Sequence, residues 1–540
     1  MAGSFAGHAN RVFGGGPVGS SQDATGLSLA FQETACKLVA PDRLAFGQEI
    51  TMLKWIFAFL MLPGLAFAQD TVRLKVLSFN IWYGGDQVSF ASVIAAIKLA
   101  DADIVGLQEP DGRTLEIAAA AGYPYADTRR HILSKYPLFD SDVGVTTSMA
   151  APPYSIAGLN PDAVHVWAMV APGRVVAVAN THLTSDPYGP ELLRDGASAD
   201  EVLANEAETR VPEAQALIDG LGPVAAAGVP VLLTGDFNTP SALDGGPVAW
   251  PVSGMLDTAR LRDTFRTAHP DSVAVPGHTW TPGRPWPMVP AGETAGRIDY
   301  VYAANATVVE SILVGEPGNP AVGLSVAPWP SDHRAVLSTV DVVPAEAPAL
   351  VTTEPRPVVA GGSFVIRAHM PGGGPWTAVV VAPGADWTTG VLIGIADVDL
   401  ADRPTLRLST MGLAVGSYDA VLIRPGADTG VEVARHRFSV IPADRRAQIA
   451  ATFPVVPGGD IALRFSGAAG FKLDWVGVYR KGEMSVYNYL GFAYTGARHE
   501  GDLVFPAAEL YEDLTPGDYE LRLLLDDAYQ VQAVGAFTVQ

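Results

Sequence analysis

Between residues 72 and 343, short apolar runs alternate with helix-period segments, and six strand ends carry polar residues. Leu74–Phe79 stops at Asn80, and Ile104–Leu107 stops at Gln108-Glu109. Val175–Ala179 stops at Asn180-Thr181-His182. Val229–Leu233, broken only by Pro230, stops at Gly235-Asp236-Phe237-Asn238. Asp299 lies at the start of the run Ile298–Ala303, and Asp332-His333 precede Ala335–Val342. Apolar runs this short, bounded by turn residues, read as buried strands. Phe90–Leu99, Leu115–Ala121 and a segment from Glu206 to Leu221 have helical spacing. That alternation restricts the chain to a mixed α/β sheet fold. On an extended backbone residues i and i+2 point the same way, so Asp236 and Asn238 face one site. Each polar residue alone has a plain explanation: Asn80 as a turn cap, His182 as a satisfied core histidine, Asp299 as a partner of Arg297. Six such ends in one α/β domain point instead to a site, because sheet enzymes gather their chemistry at strand ends.

The remaining region is read more coarsely. Val164–Val170 pairs with Val175–Ala179 as a hairpin around Pro172-Gly173, and Ile132-Leu133 begins a short strand. Ser185–Asn205 is polar and reads as loop, as does the Pro/Gly-rich stretch to Pro290. Aromatic residues from Trp280 to Trp286, between His278 and Arg297, are placed to shape a site mouth.

The motifs Leu77-Ser78-Phe79-Asn80, Gly106-Leu107-Gln108-Glu109, Ile132-Leu133-Ser134-Lys135-Tyr136-Pro137, Asn180-Thr181-His182-Leu183, Gly235-Asp236-Phe237-Asn238, Arg297-Ile298-Asp299-Tyr300 and Ser331-Asp332-His333 occur in this order. In that order they resemble the endonuclease/exonuclease/phosphatase superfamily, which includes deoxyribonuclease I, abasic-site endonucleases, bacterial sphingomyelinases and inositol polyphosphate 5-phosphatases. The resemblance implies a four-layer α/β sandwich, two packed mixed sheets flanked by helices. It implies a metal-dependent phosphoric ester hydrolase using Mg2+ or Mn2+, with Asn80, Glu109 and Asp332 as metal ligands. The catalytic set it implies is His182, Asp236, Asn238, Asp299 and His333. His182 and Asn238 would hold the substrate, and Asp299 would orient His333. Either Asp236 or His333 would be the base. A hard cation suits carboxylate and carboxamide ligands, and a second carboxylate behind an imidazole fixes its tautomer. Two departures stand out. Arg129-Arg130-His131 replace the usual small residues before Ile132, and read as solvated charge ahead of a contact to an anionic substrate. Arg334-Ala335 follow His333 where a small or apolar residue and proline are usual.

Helical period disappears after Val343-Pro344-Ala345-Glu346-Ala347-Pro348, which reads as a linker into an independently folding pair. β runs at roughly ten-residue spacing predict two immunoglobulin-like β-sandwiches, residues 349–441 and 445–540. Asp474–Gly482, with Gly517-Asp518-Tyr519-Glu520, resembles the SKICH domain; the alternative is that Trp475 and Tyr479 are plain core anchors. The sandwiches would serve a protein or surface partner. At the other end, Met52–Ala68 has a lysine, an apolar run of about thirteen residues and an A-x-A site, the parts of a signal peptide. That predicts a secreted or periplasmic protein starting at Gln69, with residues 1–51 an over-called or disordered extension, the lone Cys36 removed, and no membrane span in the mature chain. The net charge of −22 disfavours tight nonspecific binding of nucleic acid. Within 72–343, roughly sixteen Lys/Arg face about thirty Asp/Glu. The expected function is therefore an exported divalent-metal phosphoesterase of unassigned substrate. A secreted endonuclease and a surface-binding protein with a relic catalytic domain are the alternatives.

Overall fold

The computed structural model describes residues 71–540 except 141–163, 281–293, 355–357, 374, 389–394, 400–404, 427–429, 472–473, 487, 497 and 526–528. The expected extension 1–51 with Cys36, the signal peptide 52–68, the start at Gln69 and the mouth residue Trp286 lie outside the described residues. Thr71–Gln540 make one compact unit.

The first part of that unit is built from β1 (Val72–Asn80), α1 (Phe90–Ala100), β2 (Ile104–Gln108), α2 (Thr114–Ala121), β3 (Tyr125–Asp127), β4 (Ile132–Ser134), β5 (Leu138–Asp140), β6 (His165–Ala171) and β7 (Arg174–His182). It continues through α3 (Gly189–Arg194), α4 (Ala199–Glu208), α5 (Arg210–Ala226), β8 (Val231–Asp236), α6 (Pro251–Thr258), β9 (Arg262–Asp263), α7 (Thr264–Ala268), β10 (Asp299–Ala304), β11 (Ala306–Gly315), β12 (Val322–Ser325), β13 (Ala335–Val342) and β14 (Ala345–Glu346). One sheet runs β12-β11-β13-β1-β2-β4-β3 and the other β5-β6-β7-β8-β10-β9, with β14 paired to β7. The parallel pairs β1–β2 and β7–β8 are joined by helical crossovers, as parallel neighbours require.

Side-chain parity sets the layers. In β1, Leu74 and Val76 meet Ile104, Val178, Leu232 and Val301 between the sheets, while Leu77 and Phe79 meet Val93 and Ile97 of α1. In β8, Leu232 faces inward and Val231 and Leu233 pack on Leu217 and Leu221 of α5. The result is helix, sheet, sheet, helix, the four-layer α/β sandwich of the resemblance. Continuing the inward parity along each strand gives Ser78 and Asn80, Gly106 and Gln108, Asn180 and His182, Thr234 and Asp236. The space between the sheets is therefore oily at one end and polar at the other. Asn180 sits in that polar zone with four hydrogen bonds, accepting from Gln108 (2.7 Å) and Thr234 (2.8 Å) and donating to the carbonyls of Leu107 (2.8 Å) and Arg130 (2.9 Å). Gly106 leaves room for it: a Cβ there would stand 1.9 Å from Thr234 Oγ1 and 2.4 Å from Asn180 Oδ1.

Two loop readings and one helix reading change. Ser185–Asn205 contains α3 and most of α4, whose N-terminus carries a full capping box of Ser198 and Glu201. The helix expected from Glu206 breaks at Thr209 (φ −110°, ψ −84°) and restarts as α5 at Arg210. The Pro/Gly-rich stretch holds α6 and α7, and β11 and β12 extend the first sheet.

The stretch read as a linker is not free chain. Ala345 and Glu346 pair with Val175 and Arg174, and Ala347 and Leu350 are buried with Phe139 and Val175. Beyond it lie two β-sandwiches. The first packs Val351, Phe364, Trp376, Leu422 and Phe438 into one core, the second Ile461, Phe465, Val476, Leu521 and Leu523. Trp475 and Tyr479 are fully buried among Tyr489, Leu524 and Tyr529, as core anchors are. Arg129 and Arg130 are neither solvated nor at a substrate site. Both reach Asp140 (3.2 and 3.3 Å), whose other oxygen lies 3.7 Å from His436 of the first sandwich.

Candidate active site

All eight residues singled out by sequence, Asn80, Glu109, His182, Asp236, Asn238, Asp299, Asp332 and His333, come to the polar end of the inter-sheet space. Asn80 is the hinge of one half. Its amide donates to Glu109 Oε1 (3.2 Å) and Asp236 Oδ2 (2.9 Å), and its Oδ1 accepts from Trp82 N–H (3.0 Å). Glu109 Oε2 accepts from Tyr83 N–H (2.9 Å), and Gly84 N–H donates to the Glu109 carbonyl (2.8 Å). Ser331 donates to the Asn80 carbonyl (2.7 Å) and accepts from His333 N–H (3.0 Å), which ties the Asp332-His333 turn to β1.

His333 is the hinge of the other half. Its Nδ1 lies 2.9 Å from Asp299 Oδ2, and its Nε2 points to Asp236 Oδ2 at 3.7 Å. In the register of the second sheet Asp299 stands opposite Asp236, which brings the two carboxylates to one end. Asp299 Oδ1 has no hydrogen-bond partner. Burial opposes charge on His333, but Asp299, Asp236 and Asp332 outweigh it and hold the imidazole well above its ordinary value. His182, 32% exposed, approaches Asp236 from the other side, Nε2 to Oδ2 3.5 Å. Asn238 donates to the Leu183 carbonyl (2.9 Å), and its own N–H donates to Asp236 Oδ1 (3.0 Å).

Several of these residues are held in strained backbone. Trp82 (φ 58°), Tyr83 (φ 46°), Glu109 (φ 56°) and Asn238 (φ 50°) all have positive φ without being glycine. Each such residue costs on the order of 1–3 kcal/mol and persists only where its surroundings over-determine it. Here the turn aims successive amide N–H groups at Asn80 and Glu109.

The electrostatics suit a cation. Asp332 is raised to about 7, first by burial and then by Glu109 and Asp236, while His333 pulls it down. Four carboxylates, Glu109, Asp236, Asp299 and Asp332, meet two histidines at this end of the inter-sheet space, so carboxylates outnumber imidazoles two to one. Carboxylate and carboxamide oxygens are the ligands hard divalent ions prefer, so Glu109 and Asp332 fit such an ion, and Asn80, whose amide N–H groups face Glu109 and Asp236, would turn its oxygen inward to join them. A second grouping is also tight: donor atoms of Asp236, Asp299 and His333 lie within 4.8 Å of one another. In that trio the Asp299–His333 hydrogen bond already occupies one ring nitrogen, which favours a base and its orienting carboxylate over a third ligand set.

These groups open on a cavity of about 240 Å3. Sequence reading missed part of its wall: Trp82 and Tyr83 after β1, and Asp186 and Tyr188 ahead of α3. The pair Gly84-Gly85 was a usable signal for a tight turn there; Asp186-Pro187-Tyr188 offered none beyond turn composition. Trp280 does line the mouth and bridges to the His333 strand edge. His278 acts through its carbonyl, which accepts from Arg334 (2.8 Å). The loop 185–188 is pinned from behind by Arg210, fully buried against Glu206 (2.9 Å) and donating to the carbonyls of Ser185 (2.6 Å) and Pro187 (2.9 Å).

Residues 77–333 match the model of the Endonuclease/Exonuclease/phosphatase family. Over 291 residues the chain is 26% identical to an uncharacterized protein of Caenorhabditis elegans, covering 49% of this chain and 90% of that one. Among solved structures it is similar to an endonuclease/exonuclease/phosphatase family protein from Bacteroides thetaiotaomicron, at 15% identity and TM-score 0.32, covering 51% of this chain and 96% of that one. An AP endonuclease from Archaeoglobus fulgidus is similar at 18% identity and TM-score 0.29, covering 49% of this chain and 98% of that one.

Proposed function

Because residues 77–333 belong to the endonuclease/exonuclease/phosphatase family, we propose that this protein is an exported, divalent-metal-dependent phosphoesterase. Phosphoester hydrolysis is the chemistry general to that family. The observation that carries the reading is the Asp299–His333 hydrogen bond of 2.9 Å, with His333 Nε2 turned to Asp236 in the cavity that also holds Glu109 and Asp332. Asn80, Glu109 and Asp332 would hold Mg2+ or Mn2+, which supplies neutralisation of charge on phosphoryl oxygens when bound. Asp299 accepts from Nδ1–H and leaves Nε2 as the basic nitrogen. A water lying against His333 and Asp236 gives its proton to Nε2 as its oxygen attacks phosphorus. The P–O bond to the alcohol breaks, the alkoxide takes a proton from a solvent water, and the proton held on Nε2 passes to the hydroxide so formed, which returns His333 to its starting state. His182 and Asn238 stand at the rim of the same cavity, where they meet the phosphoryl oxygens.

The test is a panel of phosphomonoesters and phosphodiesters with Mg2+, with Mn2+ and with excess chelator. Hydrolysis that chelator abolishes, and that Glu109→Ala lowers by ~10²-fold or more, is the expected outcome. Full activity in chelator refutes the reading. Export rests on the Met52–Ala68 leader, and N-terminal sequencing of secreted protein should read from Gln69. A cytoplasmic product that retains Met1 sinks that part alone.

A further inference from the structure

The cavity wall departs from what a site for polyanions needs. No lysine or arginine lines it among the described residues. The arginines around it are spent on carboxylates: Arg113 on Asp86 and Glu116, Arg210 on Glu206, Arg297 on Asp244 and Asp263, Arg334 on Glu316. Two carboxylates beyond the metal-type set, Asp186 and Glu191, line the wall instead. Glu191 is paired with Arg194 (3.3 Å), whereas among the described residues Asp186 has only the Ser185 hydroxyl (3.1 Å).

Four aromatic side chains, Trp82, Tyr83, Tyr188 and Trp280, make up much of the rest of the wall. Trp82 and Tyr83 are turned into it by their positive φ, and Tyr188 meets Trp280 edge to face at 5.2 Å. Tyr188 is 7% exposed, and its buried hydroxyl has no hydrogen-bond partner among the described residues. Burial and the charge of Asp236 push that phenol up, so it stays a protonated donor in want of an acceptor. A phosphoryl oxygen is such an acceptor. Aromatic faces beside an unpaired carboxylate are what attracts an ammonium group, above all a quaternary one that cannot hydrogen-bond to water.

We propose that this cavity takes phosphoesters bearing a cationic ammonium substituent, with the phosphate at the His333 end and the cation against Trp82, Tyr83, Trp280 and Asp186. The assignment rests on the phosphoesterase reading above. The ammonium arm can come from a soluble diester or from a lipid headgroup, because the recognising chemistry is the same.

The decisive comparison uses 4-nitrophenyl phosphocholine and its isostere 4-nitrophenyl 3,3-dimethylbutyl phosphate, which exchanges N+ for carbon and keeps shape and leaving group. The intact protein with Mg2+ should favour the cation by about tenfold or more in kcat/KM. Asp186→Asn and Trp82→Leu should each shrink that ratio severalfold, and the change should fall mainly in KM for the cationic ester. Equal rates for the two esters, or a preference for the isostere, overturn the proposal while leaving the phosphoesterase reading intact. Hydrolysis of neither ester, nor of any other in the panel, overturns both. Glycerophosphocholine and phosphatidylcholine vesicles tested side by side separate the sources. Release from glycerophosphocholine alone assigns the soluble diester, release from vesicles assigns the headgroup, and release from neither refutes a natural ammonium substrate.

Discussion

Metal affinity should collapse on mild acidification, and Asp332 is the reason. A metal ligand must be deprotonated, so protons compete with the ion for this carboxylate. With Asp332 raised to about 7, the competition is small at pH 8 and severe at pH 5. For a single competing proton, affinity is divided by about 1.1 at pH 8 and by about 100 at pH 5, a difference of ~2.7 kcal/mol. The same shift has a consequence for the metal-free protein. Its folded-state value lies above the ordinary 3.8, so the stability Asp332 contributes is present below about pH 4 and is lost as pH rises through about 7. Metal binding at pH 8 should therefore raise the melting temperature far more than at pH 5. Calorimetric titration with Mn2+ at half-unit steps between these limits reads the slope directly. Asp332→Asn should bind more weakly at pH 8 and lose most of the slope, because the carboxamide does not titrate. A wild-type affinity that stays flat from pH 8 to pH 5 refutes the placement of Asp332 in the ion site.

Asp299→Asn should lower kcat by ~10²-fold with little change in KM, since the Asp299 carboxylate orients the base and need not touch substrate. It should also move the acidic limb of the rate profile to lower pH, because losing an anion 2.9 Å from Nδ1 lowers the His333 value; an unmoved limb and unchanged kcat remove Asp299 from this role. Truncation after Val343 should destabilise the enzyme domain rather than release it, by ~2–4 kcal/mol, because Ala347 and Leu350 leave Phe139 and Val175 exposed. Extension of the fragment to Leu350 should recover part of that loss in a denaturant melt, and a Val343 fragment as stable as the intact protein contradicts the strand pairing of Ala345 and Glu346.

The site was legible in sequence because strand parity is legible. Asn80, Asp236 and Asp299 lie where an apolar run starts or stops, and a period of two carries them to the inner face without further information; Glu109 has the opposite parity to Gln108 and reaches the site through its left-handed backbone (φ 56°), which no period announces. The helices of the crossover were less visible. α3 and α4 bury few apolar residues, so Ser185–Asn205 shows polarity and hides its period. β11 and β12 were missed for a related reason, since the exposed face of Ala306–Gly315 dilutes the apolar run. Long-range pairings left no local trace at all. Nothing near Arg210 announces that it holds the carbonyls of Ser185 and Pro187, because the partners are set by the packing of α5 against the second sheet.

The arginines at 129 and 130 show how a departure from a family pattern can be settled by its partner. Two cations before β4 invite a reading as substrate contacts or as solvated charge. Buried as they are, neither reading is physically comfortable, because an unpaired guanidinium away from water is costly. Asp127 pairs with Arg130 (3.1 Å) and Asp140 with both arginines, and it is the position of Asp140 at the end of β5 that reaches outward. That strand is the edge of the second sheet, and the next surface outward is the first β-sandwich, which contributes His436 to the same carboxylate. The replacement of small residues by Arg129-Arg130 therefore belongs with the presence of the sandwich rather than with the chemistry of the cleft. It follows that Arg130→Ala, which removes the arginine from buried Asp127 and leaves Asp140 with Arg129 alone of the two, should cost stability and should not change the ester preference of the site.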